Sequence, residues 1–222
     1  VNVLCGKASF MSNSEIIVET SEKKEKIQFK NCIIASGSTA ATLPNLSLDH
    51  PLVLTSKTAL DLDDIPGSLL IIGGGIIGLE LGQVYSTLGT DVSVVEYMPS
   101  LIPGADDDIA KPLIRKLKKH FKSIMLSSKV TNVDVGFEEG VRVSIESNNE
   151  IKDQVYDKVL VSIGRKPNTN LLSLENTDIK IDSKGFIIVD DYQRTSVKGV
   201  YAIGDIACLL YTSPSPRDDR YS

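Results

Sequence analysis

The stretch Leu69-Leu70-Ile71-Ile72-Gly73-Gly74-Gly75-Ile76-Ile77-Gly78-Leu79-Glu80-Leu81-Gly82 constrains this chain more than any other. Four consecutive apolar residues read as a parallel strand buried on both faces. Gly73, Gly75 and Gly78 then complete G-x-G-x-x-G directly before a run with helical apolar spacing. In such a turn the first glycine permits the bend, the second lets a pyrophosphate reach the backbone, and the third lets helix and strand pack closely. Gly74, Ile76 and Ile77 complete the turn, and the helix start offers unpaired N–H donors and the positive end of its dipole to phosphate. A second strand, Asp91-Val92-Ser93-Val94-Val95, ends at Glu96, close to the spacing of about 20 residues at which a carboxylate accepts hydrogen bonds from an adenosine ribose. A ribose carrying a phosphate would need a cation nearby, and Tyr97-Met98-Pro99-Ser100-Leu101-Ile102 supplies none, which favours NAD over NADP.

Composition narrows the remaining classes. The 222 residues can bury one or two cores, with 41% hydrophobic and 24% charged residues, and no apolar run approaches a membrane span. A net charge of −5 argues against a general nucleic-acid surface. Cys5, Cys32 and Cys208 stand far apart and make neither a C-x-x-C pair nor a metal cluster, so they read as small buried or incidental residues. His50 and His120 have no visible catalytic partner, and no metal site is expected. The chain opens on Val1 without a signal-peptide pattern, and a start at Val rather than Met is read as a lost beginning.

Taken in order, Val1–Leu4, Ala8–Phe10, Glu15–Glu19 and Lys26–Phe29 are expected as short strands. The charged run 22–26 is expected as a solvated hairpin tip. Cys32-Ile33-Ile34-Ala35 reads as an apolar strand entering Ser36-Gly37-Ser38, where small residues allow close approach of either a ligand or another chain segment. Residues 39–66 hold Pro44, Pro51 and Pro66 and read as a connector with a short helical piece near 57–62. After Glu96, the acids Asp106, Asp107 and Asp108 suit a helix start and Lys116, Lys118, Lys119 and Lys122 its far end. Leu113, Leu117 and Phe121 give that helix an apolar face, and its basic outer face is read as solvated. Val130–Val135 and Val141–Ile145 read as a hairpin. A further strand over 157–163 ends at Gly164, either a contact to the same dinucleotide at the carboxyl edge of the sheet or a plain turn glycine. Gly185–Val189 and Gly199–Ala207 read as β-rich, and Asp205 either caps a helix or holds a ligand hydroxyl.

Together Ile33–Ser38, Gly73–Glu80, Val94-Val95-Glu96, Gly164-Arg165-Lys166-Pro167-Asn168 and Ala202-Ile203-Gly204-Asp205 resemble, in order, the FAD-dependent pyridine-nucleotide disulfide oxidoreductases over Val1 to about Ala207. Within that family the chain is most similar to members that reoxidise dihydrolipoamide. The resemblance implies an α/β fold in which a Rossmann-like NAD domain, a parallel sheet plus a β-meander, is inserted into part of an FAD-binding domain. On this reading residues 1–66 are part of the FAD-binding domain and connector, 67–166 the NAD domain, 167–207 the return to the FAD domain, and 208–222 a polar, Pro/Ser-rich tail foreign to the fold or disordered.

By resemblance, Ser36, Gly37, Ser38, Gly204 and Asp205 face FAD, Asp205 near its ribityl chain. Glu96 holds the NAD ribose, Val130 lines the adenine pocket, Gly164 lies near the nicotinamide, and Glu80 matches a glutamate that pairs with a lysine beside the flavin. Apolar Leu79 and Leu81 beside Glu80 suggest a carboxylate that needs such a partner. The implied parent reaction passes electrons from dihydrolipoamide, carried on a domain of a 2-oxo-acid dehydrogenase complex, to a protein disulfide, to FAD and as hydride to NAD, in a homodimer of the cytoplasm or mitochondrial matrix. Alternatives are a glutathione- or mercuric-reductase-like member, or, for this chain alone, a non-catalytic NAD-binding module. The family's first glycine-rich FAD motif, its C-x4-C disulfide with the following lysine, and its C-terminal His-Glu pair are absent from this sequence, and Pro214 and Pro216 would break the helix that follows Asp205. The chain is therefore expected to be an internal fragment with an incomplete FAD site and no catalytic residue of its own.

Overall fold

The computed structural model describes residues 1–44 and 46–207. It resolves into two compact units, one built from residues 1–39 with 166–207, the other from 40–165.

In the first unit, β1 (Lys7–Ser12), β2 (Glu15–Glu19) and β3 (Lys24–Gln28) form an antiparallel meander, and β4 (Cys32–Ile34) follows. β5 (Ser38–Ala40) then marks the passage to the second unit. Two expectations change here. Val1–Leu4 forms no strand and its apolar side chains are exposed, because no neighbouring strand pairs with it. Nor does the charged run 22–26 form the hairpin tip alone, since Lys24 and Lys26 lie inside β3. Lys24 stands opposite Glu19 and pairs with it, and Lys26 reaches Glu15 at 3.6 Å, so opposite charges face each other across the strands.

The second unit holds β6 (Val53–Leu54), β7 (Ser68–Ile72), α1 (Ile76–Thr87), β8 (Asp91–Val95), α2 (Asp107–His120), β9 (Ser123–Met125), β10 (Ser128–Asp134), β11 (Val141–Ser147), β12 (Glu150–Tyr156) and β13 (Lys158–Val161). The strands β6, β13, β7, β8 and β9, in that spatial order, make a parallel sheet, while β10, β11 and β12 make an antiparallel meander. The period-two alternation of β-strands explains the layers. Leu69, Ile71, Val92, Val94 and Leu160 point to one side and pack on Leu79, Leu81 and Tyr85 of α1 and on Leu117 of α2. Leu70, Ile72, Val95, Val159 and Val161 point to the other and pack on Val141, Val143, Ile145 and Tyr156 of the meander. A sheet covered on both faces needs near-continuous apolar strands, and Leu69, Leu70 and Ile71 are each 0% exposed.

Residues 40–66, read as a connector, sit in this second unit, because β6 joins the sheet edge beside β13 and a turn of 3₁₀ helix over Thr58–Leu60 buries Ala59. Between the expected hairpin and β13 the chain adds β12, a third meander strand whose outward residues face solvent.

The chain returns to the first unit after β14 (Arg165–Pro167), and β15 (Val200–Ala202) pairs in parallel with β4. The core of this unit gathers Phe10, Ile34, Leu174, Ile187, Val200 and Ile206. Gly185–Val189 forms only an isolated bridge, Ile187 to Ile181. Cys5 is exposed and Cys32 half-buried. Cys208 and the 208–222 tail lie outside the described residues. Among the described residues no helix is long and apolar enough to cross a membrane, and no cluster of His, Cys, Asp and Glu could hold a metal.

Candidate dinucleotide site

The glycine-rich turn sits at the carboxyl end of β7, between β13 and β8, and the three glycines meet three different surroundings. Gly73 has φ +106°, and a Cβ there would lie 2.6 Å from the Ser162 carbonyl oxygen at the end of β13. Gly78 packs into the sheet, where a Cβ would lie 2.7 Å from the Gly73 carbonyl oxygen and 2.8 Å from Ile71. At Gly75 none of the described residues lies within 4 Å of where a Cβ would stand. The middle glycine of the motif is thus the one whose backbone is open to a ligand, and it is also the N-cap of α1, whose first-turn amides have no acceptor within the helix.

Glu96 follows β8 and is only 7% exposed. Its Oε2 accepts the Gly74 N–H at 2.6 Å and its Oε1 the Met98 N–H at 2.7 Å. A buried carboxylate is costly unless such donors replace water, and each oxygen keeps a further acceptor position. The Gly74 carbonyl accepts the Ile102 N–H at 2.9 Å, and Leu101, 1% exposed, presses on Gly74 from the same loop. Ser162 completes the surround, its Oγ lying 3.2 Å from the Ile72 and 3.1 Å from the Gly73 carbonyl oxygens as donor.

The other expected contacts take these positions. Val130, half-buried in β10, packs with the meander core. Gly164 has φ +132° and open space around it, and its carbonyl accepts the Ala41 N–H at 2.9 Å. Glu80 is exposed on α1, its side chain without an ion pair or hydrogen bond among the described residues, which do not include the family's partner lysine, while Leu79 and Leu81 turn into the core. Sequence neighbours on a helix do not share a face, so apolar residues on either side did not place this carboxylate in an apolar setting.

In the first unit, Ser38, Asp205, Ser36 and Gly37 come together. The Ser38 hydroxyl donates to Asp205 Oδ2 at 2.5 Å, and Asn168 Nδ2 donates to the Ser36 carbonyl at 2.8 Å. Among the described residues, Gly37 (φ +66°) and Gly204 (φ +75°) have no neighbour where a Cβ would stand, and the buried Ser36 hydroxyl has no partner. Asp205 opens a turn of 3₁₀ helix, Gly204–Ala207, just beyond β15.

Ser162, Leu101 and Ile102 were not singled out from the sequence. Ser162 carried a faint signal as a hydroxyl closing an apolar strand, whereas Leu101 and Ile102 reach Gly74 only through the folded loop. Two clefts among the described residues lie elsewhere. One of about 450 Å³ is lined by His50, Asp61, Asp64 and Tyr85, and one of about 320 Å³ by Ser68, Asp91, Lys122 and Tyr156, at the amino ends of the strands.

Comparison with known proteins agrees with this geometry. A model of the pyridine nucleotide-disulphide oxidoreductase family matches residues 1–219. Dihydrolipoyl dehydrogenase of Vibrio cholerae is 43% identical over 207 residues, covering 93% of this chain and 43% of that protein. The mitochondrial dihydrolipoyl dehydrogenase 2 of Arabidopsis thaliana is 39% identical over 93% of this chain and 41% of its own. The HOCl-induced flavoprotein disulfide reductase RclA from Escherichia coli superposes with a TM-score of 0.82 at 28% identity, over 94% of this chain and 46% of that one. The chain spans less than half the length of the curated relatives it matches. It belongs to the pyridine nucleotide-disulphide oxidoreductase family.

Proposed function

We propose that residues 40–165 are the NAD-binding domain, and the remaining described residues part of the FAD-binding domain, of a flavoprotein that reoxidises dihydrolipoamide. The observation that carries the NAD assignment is the buried Glu96 carboxylate beside an open Gly75 at the start of α1. The pyrophosphate would lie against the amides of Gly75, Ile76, Ile77 and Gly78, where helix start and dipole favour negative charge. Glu96 would accept from the adenosine ribose, and its negative charge without a cation over 97–102 disfavours the phosphate of NADP. Val130 would border the adenine and Gly164 the nicotinamide.

FAD is fitted by the second cluster. Among the described residues Gly37 and Gly204 leave room for a ligand and the Ser36 hydroxyl, without a partner, can offer it a hydrogen bond, while Ser38 orients Asp205 to accept from the ribityl hydroxyls. When bound, FAD supplies the electron and hydride chemistry between a dithiol and NAD. The protein side of that chemistry is binding, orientation and charge. Dihydrolipoamide on a carrier domain of a 2-oxo-acid dehydrogenase complex is the proposed substrate of the parent, supported by the names of the curated relatives. These 222 residues contain three cysteines and no C-x4-C pair, so the purified chain is proposed to bind NAD without turning over lipoamide.

Calorimetric titration with NAD and NADP, with an absorbance scan for flavin and a lipoamide-dependent NADH assay, tests this reading. Preference for NAD without lipoamide turnover is expected. Equal binding of both nucleotides, or none by the folded chain, defeats the NAD assignment, and measurable turnover defeats the claim that the chain alone is inactive.

A further inference from the structure

We infer that the loop from Glu96 to Ile102 is a two-sided clamp on Gly74 that fixes the shape of the phosphate-binding turn, which makes Glu96 a positioning residue for pyrophosphate in addition to a ribose acceptor. The inference rests on the NAD reading and goes beyond it. Both polar atoms of the Gly74 residue are engaged by this one loop: the N–H by Glu96 Oε2 at 2.6 Å and the carbonyl by the Ile102 N–H at 2.9 Å. With those bonds made, the peptides on either side of Gly74 cannot rotate, and the orientation of the next amide, at the open Gly75, is set before any ligand arrives. The loop is itself braced. Met98 N–H holds the other carboxylate oxygen, Leu101 is buried against Gly74, and the Ala105 N–H donates to the Ile102 carbonyl at 3.1 Å.

Ile102 adopts φ +52°, a region that a β-branched residue enters only where its surroundings hold it. The bond from its N–H to Gly74 is one such constraint, and its packing against the core below α1 and α2 is another. The clamp and the ribose contact do not compete, because each carboxylate oxygen that accepts a backbone N–H retains a lone pair for a ligand hydroxyl. Glu96 would then act on both halves of the dinucleotide's adenosine diphosphate moiety, on the ribose directly and on the phosphates through Gly74.

The two roles separate by choice of ligand. ADP and dideoxy-ADP, which lacks both ribose hydroxyls, are titrated calorimetrically into the full chain and into Glu96→Gln and Glu96→Asp variants, with amide exchange at Gly74 followed by NMR. Gln puts an NH₂ where one carboxylate oxygen accepted, and Asp keeps the charge but falls a methylene short. The clamp predicts that both variants bind dideoxy-ADP roughly tenfold more weakly than the wild type does, and that exchange at Gly74 accelerates at least about tenfold. Equal affinity for dideoxy-ADP in all three chains, with loss confined to ADP, leaves Glu96 a ribose contact alone and overturns the clamp. Should Gln fail to fold, Asp carries the comparison. Should the wild type bind neither nucleotide, the NAD reading fails by itself, and the clamp is then judged by Gly74 exchange, which overturns it if alike in wild type and variants.

Discussion

Ser68 and Asp157 exchange hydrogen bonds across the start of the two strands that deliver the site: the Ser68 N–H donates to Asp157 Oδ2 at 2.7 Å, and the Asp157 N–H donates to Ser68 Oγ at 3.0 Å. The pair sits where β7 and β13 begin their parallel register, Lys158 beside Leu69, and four residues on that register brings Ser162 against Gly73. Parallel strands have no hairpin turn to fix their alignment, so a reciprocal side-chain lock at one end does part of that work. Ser68→Ala and Asp157→Ala are each expected to destabilise the protein by about 1 kcal/mol. The double variant should lose clearly less than the two summed, because the partners share one network. Urea unfolding of the four chains measures the coupling, and strict additivity would refute the lock.

The glycines of the turn should separate stability from binding. Gly78→Ala forces a methyl against the Gly73 carbonyl and Ile71, so α1 must move off the sheet at an expected loss of about 1–3 kcal/mol. Gly75→Ala adds its methyl where no described residue stands, at a φ of −80° that Ala adopts, and loses about 0.5–1 kcal/mol because Ala is a poorer N-cap than Gly. The same methyl stands where a pyrophosphate would approach, so NAD affinity is expected to fall at least about tenfold while stability falls less than in Gly78→Ala. Thermal melts beside NAD titrations read the contrast, which fails if both variants lose stability and affinity in proportion.

Glu80 gives the opposite kind of test. It is exposed on α1 and has no polar partner among the described residues, and surface substitutions of that kind usually change stability by less than about 0.5 kcal/mol. Glu80→Ala is therefore expected to leave both the unfolding midpoint and NAD affinity of this chain where they were. A loss above about 1 kcal/mol would show that the carboxylate has a structural role that its exposure hides.

Strands β7, β8 and β13 and helix α1 were legible in the sequence because the signals there are local. Four apolar residues before the glycines mark a strand covered on both faces, and Leu113, Leu117 and Phe121 mark the buried side of α2. The bend at Gly73 and the close packing at Gly78 could be read too, since each depends on what a single Cβ would meet. Tertiary pairing was the part that could not be read. Val53–Leu54 is too short to show a period, yet it gains a place at the sheet edge from β13. Glu150–Tyr156 puts Glu150, Lys152 and Gln154 on the same face as the buried Tyr156 and leaves Ile151 and Val155 outward, so no apolar period marks it as a strand until β11 pairs with it. Ile102 carries no signal at all in one dimension, because its N–H matters only once Leu101 and Glu96 have folded it over Gly74.

Alkaline pH should act through Tyr85. Its ring is 2% exposed on the inner face of α1 and its hydroxyl donates to the Ala59 carbonyl at 2.9 Å, tying that helix to the turn of 3₁₀ helix over Thr58–Leu60. Burial, reinforced by the negative charges of Asp64 and Asp61, pushes the phenol above the ordinary tyrosine value. A raised pKa means that the folded state holds this proton more tightly than the unfolded one. The contribution is therefore complete below the unfolded tyrosine pKa of about 10 and is lost as pH rises through the folded value. Tyr156, raised chiefly by burial, adds loss of the same sign. Tyr85→Phe is expected to cost about 1 kcal/mol near neutrality through the lost hydrogen bond and to decline less steeply than wild type above about pH 10. Tyr156 would carry part of the remaining slope. Thermal melts of both chains from neutral pH into the alkaline range, with phenolate absorbance recorded alongside, measure the difference, and parallel decline of the two curves would remove Tyr85 as the cause.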